Sequence, residues 1–176
     1  QIEKFNVERK QVTEDIVKDV ITTIESSDKK NKNVIMISGN YHEGVLGIVA
    51  SNIVERYQKP VLIMNYKDDI LKGSARSIFD FNIYTAMNKI SDLFVAFGGH
   101  TLAAGFSFEE KNFDKIEEFL HNEYEEYKQN NELKSTKNID IVTSLEEISY
   151  QFLSSLEILK PYGMDFEKPT ILLENA

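Results

Sequence analysis

Apolar residues Ile16, Val17, Val20, Ile21 and Ile24 recur at steps of three and four, which predicts a helix from about Val7 to Ser26. An unbroken apolar run from Val34 to Ser38 predicts a buried strand. Val45, Leu46, Ile48, Val49, Ile53, Val54 and Tyr57 return to helical spacing, so a second helix spans Val45 to Tyr57. Strands follow over Val61–Tyr66 and Ile70–Ser77, with Asp68-Asp69 between them as a hairpin turn. Asn82 is placed to cap a short helix. A Gly-Gly-His loop then leads into a strand from Ala104 to Phe108. Asn112 is read as the cap of a helix reaching about Lys128, with Phe113, Ile116, Phe119, Leu120 and Tyr124 turned inward. Gln129–Asn138 is polar and reads as a linker. Beyond it come a strand at Ile139–Val142, a Ser144/Glu147 capping box on a helix that stops before Pro161, and a strand at Thr170–Leu173. Strands alternating with helices imply an α/β layered sheet flanked by helices, with a long N-terminal connecting helix and a small C-terminal α+β appendage. The expected divisions are 1–28, 29–128, 129–138 and 139–176.

Composition narrows the class. A 41% hydrophobic share supports a packed core, and no apolar run approaches the length of a membrane span. The absence of cysteine excludes disulfides and thiolate metal sites, and it fits the cytoplasm. A net charge of −9 opposes a general polyanion-binding surface. The charge is uneven, however. Glu109, Glu110, Asp114, Glu117, Glu118, Glu123, Glu125 and Glu126 crowd the segment around one helix, read as a solvated face. Between Lys72 and Phe106 the balance is Lys72, Arg76 and Lys89 against Asp80 and Asp92.

Two segments carry candidate chemistry. In FGGHTLAAG, Gly98 and Gly99 let a ligand approach the main chain, and His100 projects a titratable ring beside them. Backbone N–H groups and an imidazole suit a phosphate; the alternative is a tight turn with a surface histidine. In LKGSARSI, Gly73 opens the backbone, Ser74 and Ser77 offer hydroxyls, and Arg76 offers a planar fork for phosphate oxygens. Strand alternation places Ser74, Arg76 and Lys72 on one side; the alternative is an edge strand with an exposed arginine. His42, just before the second helix, faces either a phosphate or solvent. Phe79, Phe81 and Tyr84 are candidates for stacking on bases, or for core packing.

Together YHEGVLGIVASNIVERY, KPVLIM, KGSARS, FNIYTAM and FGGHTLAAG resemble, in order and spacing, the DHH-associated domain of the RecJ family of single-strand-specific DNA exonucleases. The resemblance is dense from Asn6 to Gly105 and looser through Lys160-Pro161-Tyr162-Gly163, which looks like the family's lead into an OB-fold domain. Tyr41 stands where the family usually has Trp, Asn52 where it has Arg, and Met164–Pro169 where it tends to read G-N-P-x-P. The resemblance implies a substrate-binding lobe of a 5′-to-3′ exonuclease of DNA repair and recombination. Gly73, Ser74, Arg76, Ser77, Gly98, Gly99 and His100 would bind DNA phosphates, with His100 also catalytic. It further implies Mn²⁺ or Mg²⁺ in a preceding Asp-His-His domain, acting in cis on single-stranded DNA, with a single-strand-binding protein and a helicase as possible partners. No Asp-His-His occurs in the chain, so a piece of a longer protein is expected, entered through Gln1–Ser27, binding no metal and inactive alone. Two alternatives stay open: a lobe of a short-oligonucleotide or nucleotide phosphoesterase, and a binding-only module like the related domain of alanyl-tRNA synthetase.

Overall fold

The computed structural model describes residues 2–78, 80–131, 139–163 and 166–174. The chain divides into two compact units, Gln1–Glu132 and Leu133–Ala176. The division falls inside the segment read as a linker, whose residues 132–138 lie outside the described residues.

In the first unit, α1 (Ile2–Glu25) precedes β1 (Ile35–Gly39), α2 (Leu46–Tyr57), β2 (Val61–Lys67) and β3 (Ile70–Arg76). Then come α3 (Ile83–Asn88), β4 (Ala96–His100), β5 (Ala103–Glu109) and α4 (Phe113–Asn130). The five strands form one sheet in the order β1-β2-β3-β5-β4. Only β1 and β2 run parallel, joined by α2 as crossover; every other pairing is antiparallel. Asp68 and Asp69 both have left-handed backbone angles (φ 51° and 60°), as a two-residue hairpin matching strand twist requires.

The sheet separates two apolar layers. On one face Val34, Met36, Leu62, Met64, Leu71, Ala75, Phe106 and Phe108 pack with Ile83, Ala86 and Met87 of α3 and Ile116, Leu120 and Tyr124 of α4. On the other, Ile35, Ile37, Val61 and Ile63 pack with Leu46, Val49, Ala50 and Ile53 of α2 and Val20 and Ile24 of α1. Val20 and Ile24 are fully buried, so the end of the connecting helix is part of this core. Among the stacking candidates, Phe81 is core, Tyr84 leans on Phe97 at 5.6 Å, and Phe79 lies outside the described residues.

Two expected caps differ. Asn112 has helical angles (φ −92°, ψ −3°) and no capping bond; its Nδ2 donates to the Leu93 carbonyl at 3.0 Å. An N-cap needs an extended backbone to turn its side chain back on the helix. Asn82 does cap α3, accepting from the Thr85 N–H at 2.9 Å. In the second unit, β6 (Ile141–Ser144) pairs in parallel with β7 (Ile171–Glu174), and α5 (Tyr150–Glu157) lies between them in sequence. The Ser144/Glu147 box closes a short 3-10 turn, Leu145–Glu147, while Ser149 caps α5. Of the Met164–Pro169 departure, Met164 and Asp165 lie outside the described residues.

Candidate functional site

The Gly-Gly-His stretch is a strand rather than a loop. It forms β4 at the sheet's edge, and no described glycine has a positive φ. Glycine discourages strands, but pairing with β5 supplies the order that the sequence lacks locally. The register then brings the two motifs together. Ser74 pairs with Gly105, which pairs with Gly98. Arg76 pairs with Ala103, which pairs with His100. Residues directly opposite each other share a face. Ser74 and Arg76 also pair with Ile63 and Val61, so this is the face that α1 and α2 cover over β1 and β2. Over β3, β5 and β4 that face carries Lys72, Ser74, Arg76, Gly105, Gly98 and His100 instead, and Lys72, Gly98, His100 and Gly105 are exposed.

Arg76 is half-buried, and among the described residues no carboxylate pairs with it. Its Nη1 donates to the Ser74 hydroxyl and the Ala75 carbonyl, both at 2.8 Å. Burial alone lowers its pKa, the signature of a cation without a counterion. Lys72 reaches the Glu43 carboxylate at 2.6 Å, and that contact holds the Glu43 pKa below its usual value. Glu43, Gly44, Leu46, Lys72, Gly73 and Ser74 line a cavity of about 420 Å³. His100 is exposed and makes no ring hydrogen bond among the described residues.

Other candidates sit elsewhere. Ser77 follows the end of β3; it is 9% exposed, and its hydroxyl is buried without a hydrogen-bond partner among the described residues. Gly73 faces the α3/α4 layer, where a Cβ would meet the Ile63 carbonyl at 2.4 Å, so only its backbone lines the cavity. His42 turns its Nδ1 to its own chain, accepting from the Gly44 N–H at 3.1 Å. Tyr41 donates to Asp19 at 2.6 Å, and burial together with that carboxylate raises its pKa. Asn52 is spent on the Ile48 carbonyl of its own helix at 2.8 Å. Sequence reasoning missed the Glu43–Lys72 pair; it joins distant segments and leaves no local signal.

The two glycines of β4 play separate parts. A Cβ on Gly98 would meet nothing within 4 Å, whereas one on Gly99 would lie 2.2 Å from the Ala103 carbonyl oxygen and 2.6 Å from Ala104 Cα. Gly99→Ala is expected to destabilise the first unit by about 1–3 kcal/mol, because backbone cannot yield. Gly98→Ala is expected to stay within about 0.5 kcal/mol of wild type. Urea midpoints check this; equal losses would contradict an open floor at Gly98.

Comparison with known proteins is consistent along the chain. The DHHA1 domain family model matches residues 10–126. The single-stranded-DNA-specific exonuclease RecJ of Bacillus subtilis is 28% identical over 178 residues, covering 100% of this chain and 23% of that protein. RecJ of Dickeya dadantii is 31% identical over 150 residues, covering 82% of this chain and 26% of that protein. A crystal structure of RecJ with Mn²⁺ from Thermus thermophilus superposes with a TM-score of 0.75 at 25% identity, covering 95% of this chain and 24% of that one. The chain therefore spans about a quarter of the length of these relatives.

Proposed function

This chain belongs to the DHHA1 domain family, and from that membership we propose that it is the single-strand-binding lobe of a RecJ-type 5′-to-3′ exonuclease of DNA repair and recombination in the cytoplasm. One observation carries the reading: a half-buried arginine, without a carboxylate partner among the described residues, shares an open sheet face with Ser74, Gly98, Gly105 and His100. Arg76 offers the edge of its fork that Ser74 does not occupy, suited to two oxygens of one phosphate. The Ser74 oxygen accepts from Arg76, which leaves its own O–H to donate to the same phosphate. Gly98 and Gly105 bring a strand's backbone close to the sheet floor. His100, one row away, hydrogen-bonds phosphoryl oxygens as their charge builds.

Two of the relatives' structures are RecJ with Mg²⁺ or Mn²⁺. The described residues of this chain do not fit such an ion. No three His, Cys, Asp or Glu side chains come together among them. The lobe's part is thus to bind and orient the strand, and water activation belongs to a further domain of the complete enzyme. An enzyme confined to single strands needs a source of them, so a helicase and a single-strand-binding protein are the partner classes implied. No described helix is long and apolar enough to cross a membrane.

The test is fluorescence anisotropy of the chain with labelled oligothymidylate across a salt series. Affinity is expected to be weak and to fall as salt rises, by about 0.7 units of log K per log salt for each phosphate neutralised on a single strand. The same mixtures with Mg²⁺ or Mn²⁺ are expected to leave the strand uncut, since no metal-binding set among the described residues would lower the pKa of a bound water. Tight binding indifferent to salt, or metal-dependent cleavage that co-purifies with the chain, would refute the assignment.

A further inference from the structure

We propose that Gly47 is a positioning residue for Arg76, and through it fixes how the open face holds a phosphate; the proposal rests on the phosphate-binding reading of that face. Gly47 lies in the first turn of α2. Its backbone angles are open to any residue, because no described glycine has a positive φ. Alanine would therefore fit the backbone, and it favours a helix over glycine. What a side chain would meet is Arg76. A Cβ at position 47 would lie 2.7 Å from Nη2, 3.5 Å from Cζ and 3.4 Å from the Ser74 hydroxyl oxygen.

The guanidinium is thus confined on two sides. Nη2 rests in the slot over Gly47, and Nη1 is tied to Ser74 and to the Ala75 carbonyl. A planar fork discriminates by direction, so its orientation decides whether it meets two phosphate oxygens or one. Holding that orientation before the ligand arrives removes an ordering cost from binding. The clash introduced by a Cβ is with the tip of a long side chain rather than with backbone. The helix keeps its place and the fork moves. Substitution at Gly47 should therefore be cheap for the fold and costly for the anion, the reverse of the expectation at Gly99.

The experiment is a double-mutant cycle in the full chain: wild type, Gly47→Ala, Arg76→Ala and the double variant. The probe is a short 5′-phosphorylated oligothymidylate at low salt, and each protein's melting temperature is recorded. Gly47→Ala is expected to weaken binding about tenfold with Arg76 present and less than about twofold with Arg76 removed, the non-additivity of two groups acting as a unit. Its melting temperature should not fall below wild type. Where Arg76→Ala binds too weakly to titrate, Arg76→Lys serves as background, because an ammonium lacks the planar fork whose orientation is at issue. Unchanged binding by Arg76→Ala would overturn the phosphate reading, and the proposal with it. Weakened binding by Arg76→Ala beside normal binding by Gly47→Ala would overturn the positioning role alone. Equal losses in both backgrounds, or a lowered melting temperature, would make Gly47 a packing residue of α2 and also overturn it.

Discussion

Replacing His100 by alanine in the complete enzyme is expected to cut turnover on single-stranded DNA by about 10²–10³-fold, the usual cost of losing one preorganised donor at a developing charge. The imidazole ends β4 beside the Ala103–Arg76 row, with no partner among the described residues to hold it for a structural purpose. On the proposed reading the ring is left for a ligand. Affinity should fall much less than turnover if the ring acts mainly on the transition state. The fold should not register the change, because an exposed substitution away from caps and cores stays within about ±0.5 kcal/mol. Single-turnover rates, strand affinity and melting temperature, measured on the same preparations, check all three. Normal turnover with a lowered melting temperature would make His100 a structural residue of the edge strand.

The largest loss of stability is expected from Phe108→Ala, at about 3–5 kcal/mol. Phe108 is fully buried, and its ring sits 5.7 Å from Phe106, 5.8 Å from Phe94 and 6.5 Å from Phe113. It joins β5 to the start of α4, so the cavity left behind would be walled by strand, loop and helix together. Such a site collapses poorly, which sets the estimate toward the upper part of the range. Against a typical total of about 5–15 kcal/mol, the variant should be close to unfolding at moderate temperature. Urea unfolding of the chain, followed through the first unit, would show this as a large fall in midpoint. A loss under about 1 kcal/mol would mean that the aromatic cluster does not hold β5 to α4.

Periodicity disclosed much of this architecture, and its misses have physical causes. The stripe from Val45 to Tyr57 marks α2 because a helix buried on one side needs that spacing, and α2 begins one residue later. Alternation joins Ser74 to Arg76, and the sheet register extends their row to Gly105 and Gly98. Ser77 lies just past the end of β3 and is buried, a difference from Ser74 that spacing alone does not reveal. The strand at Ala96–His100 has no such signal. Its glycines mimic a loop, and only β5 makes it a strand. Glu43 meeting Lys72, Gly47 meeting Arg76 and Asn112 reaching Leu93 are long-range contacts, invisible to any local pattern.

Helix α4 lies across the sheet from Arg76 and His100, and its acidic side chains are partly tied down, Glu117 by Lys29, Glu123 by Lys89 and Glu125 by Lys128. A strand and a packed helix layer each add on the order of 10 Å of thickness. Fields from exposed charges fade over about 8 Å in physiological salt. Charge is shared unevenly between the two sides of the unit, so the net charge of −9 describes neither. On the proposed reading the consequence is kinetic: an acidic α4 disfavours encounters of a polyanion with its own side of the unit and leaves the Arg76 side as the one open to it.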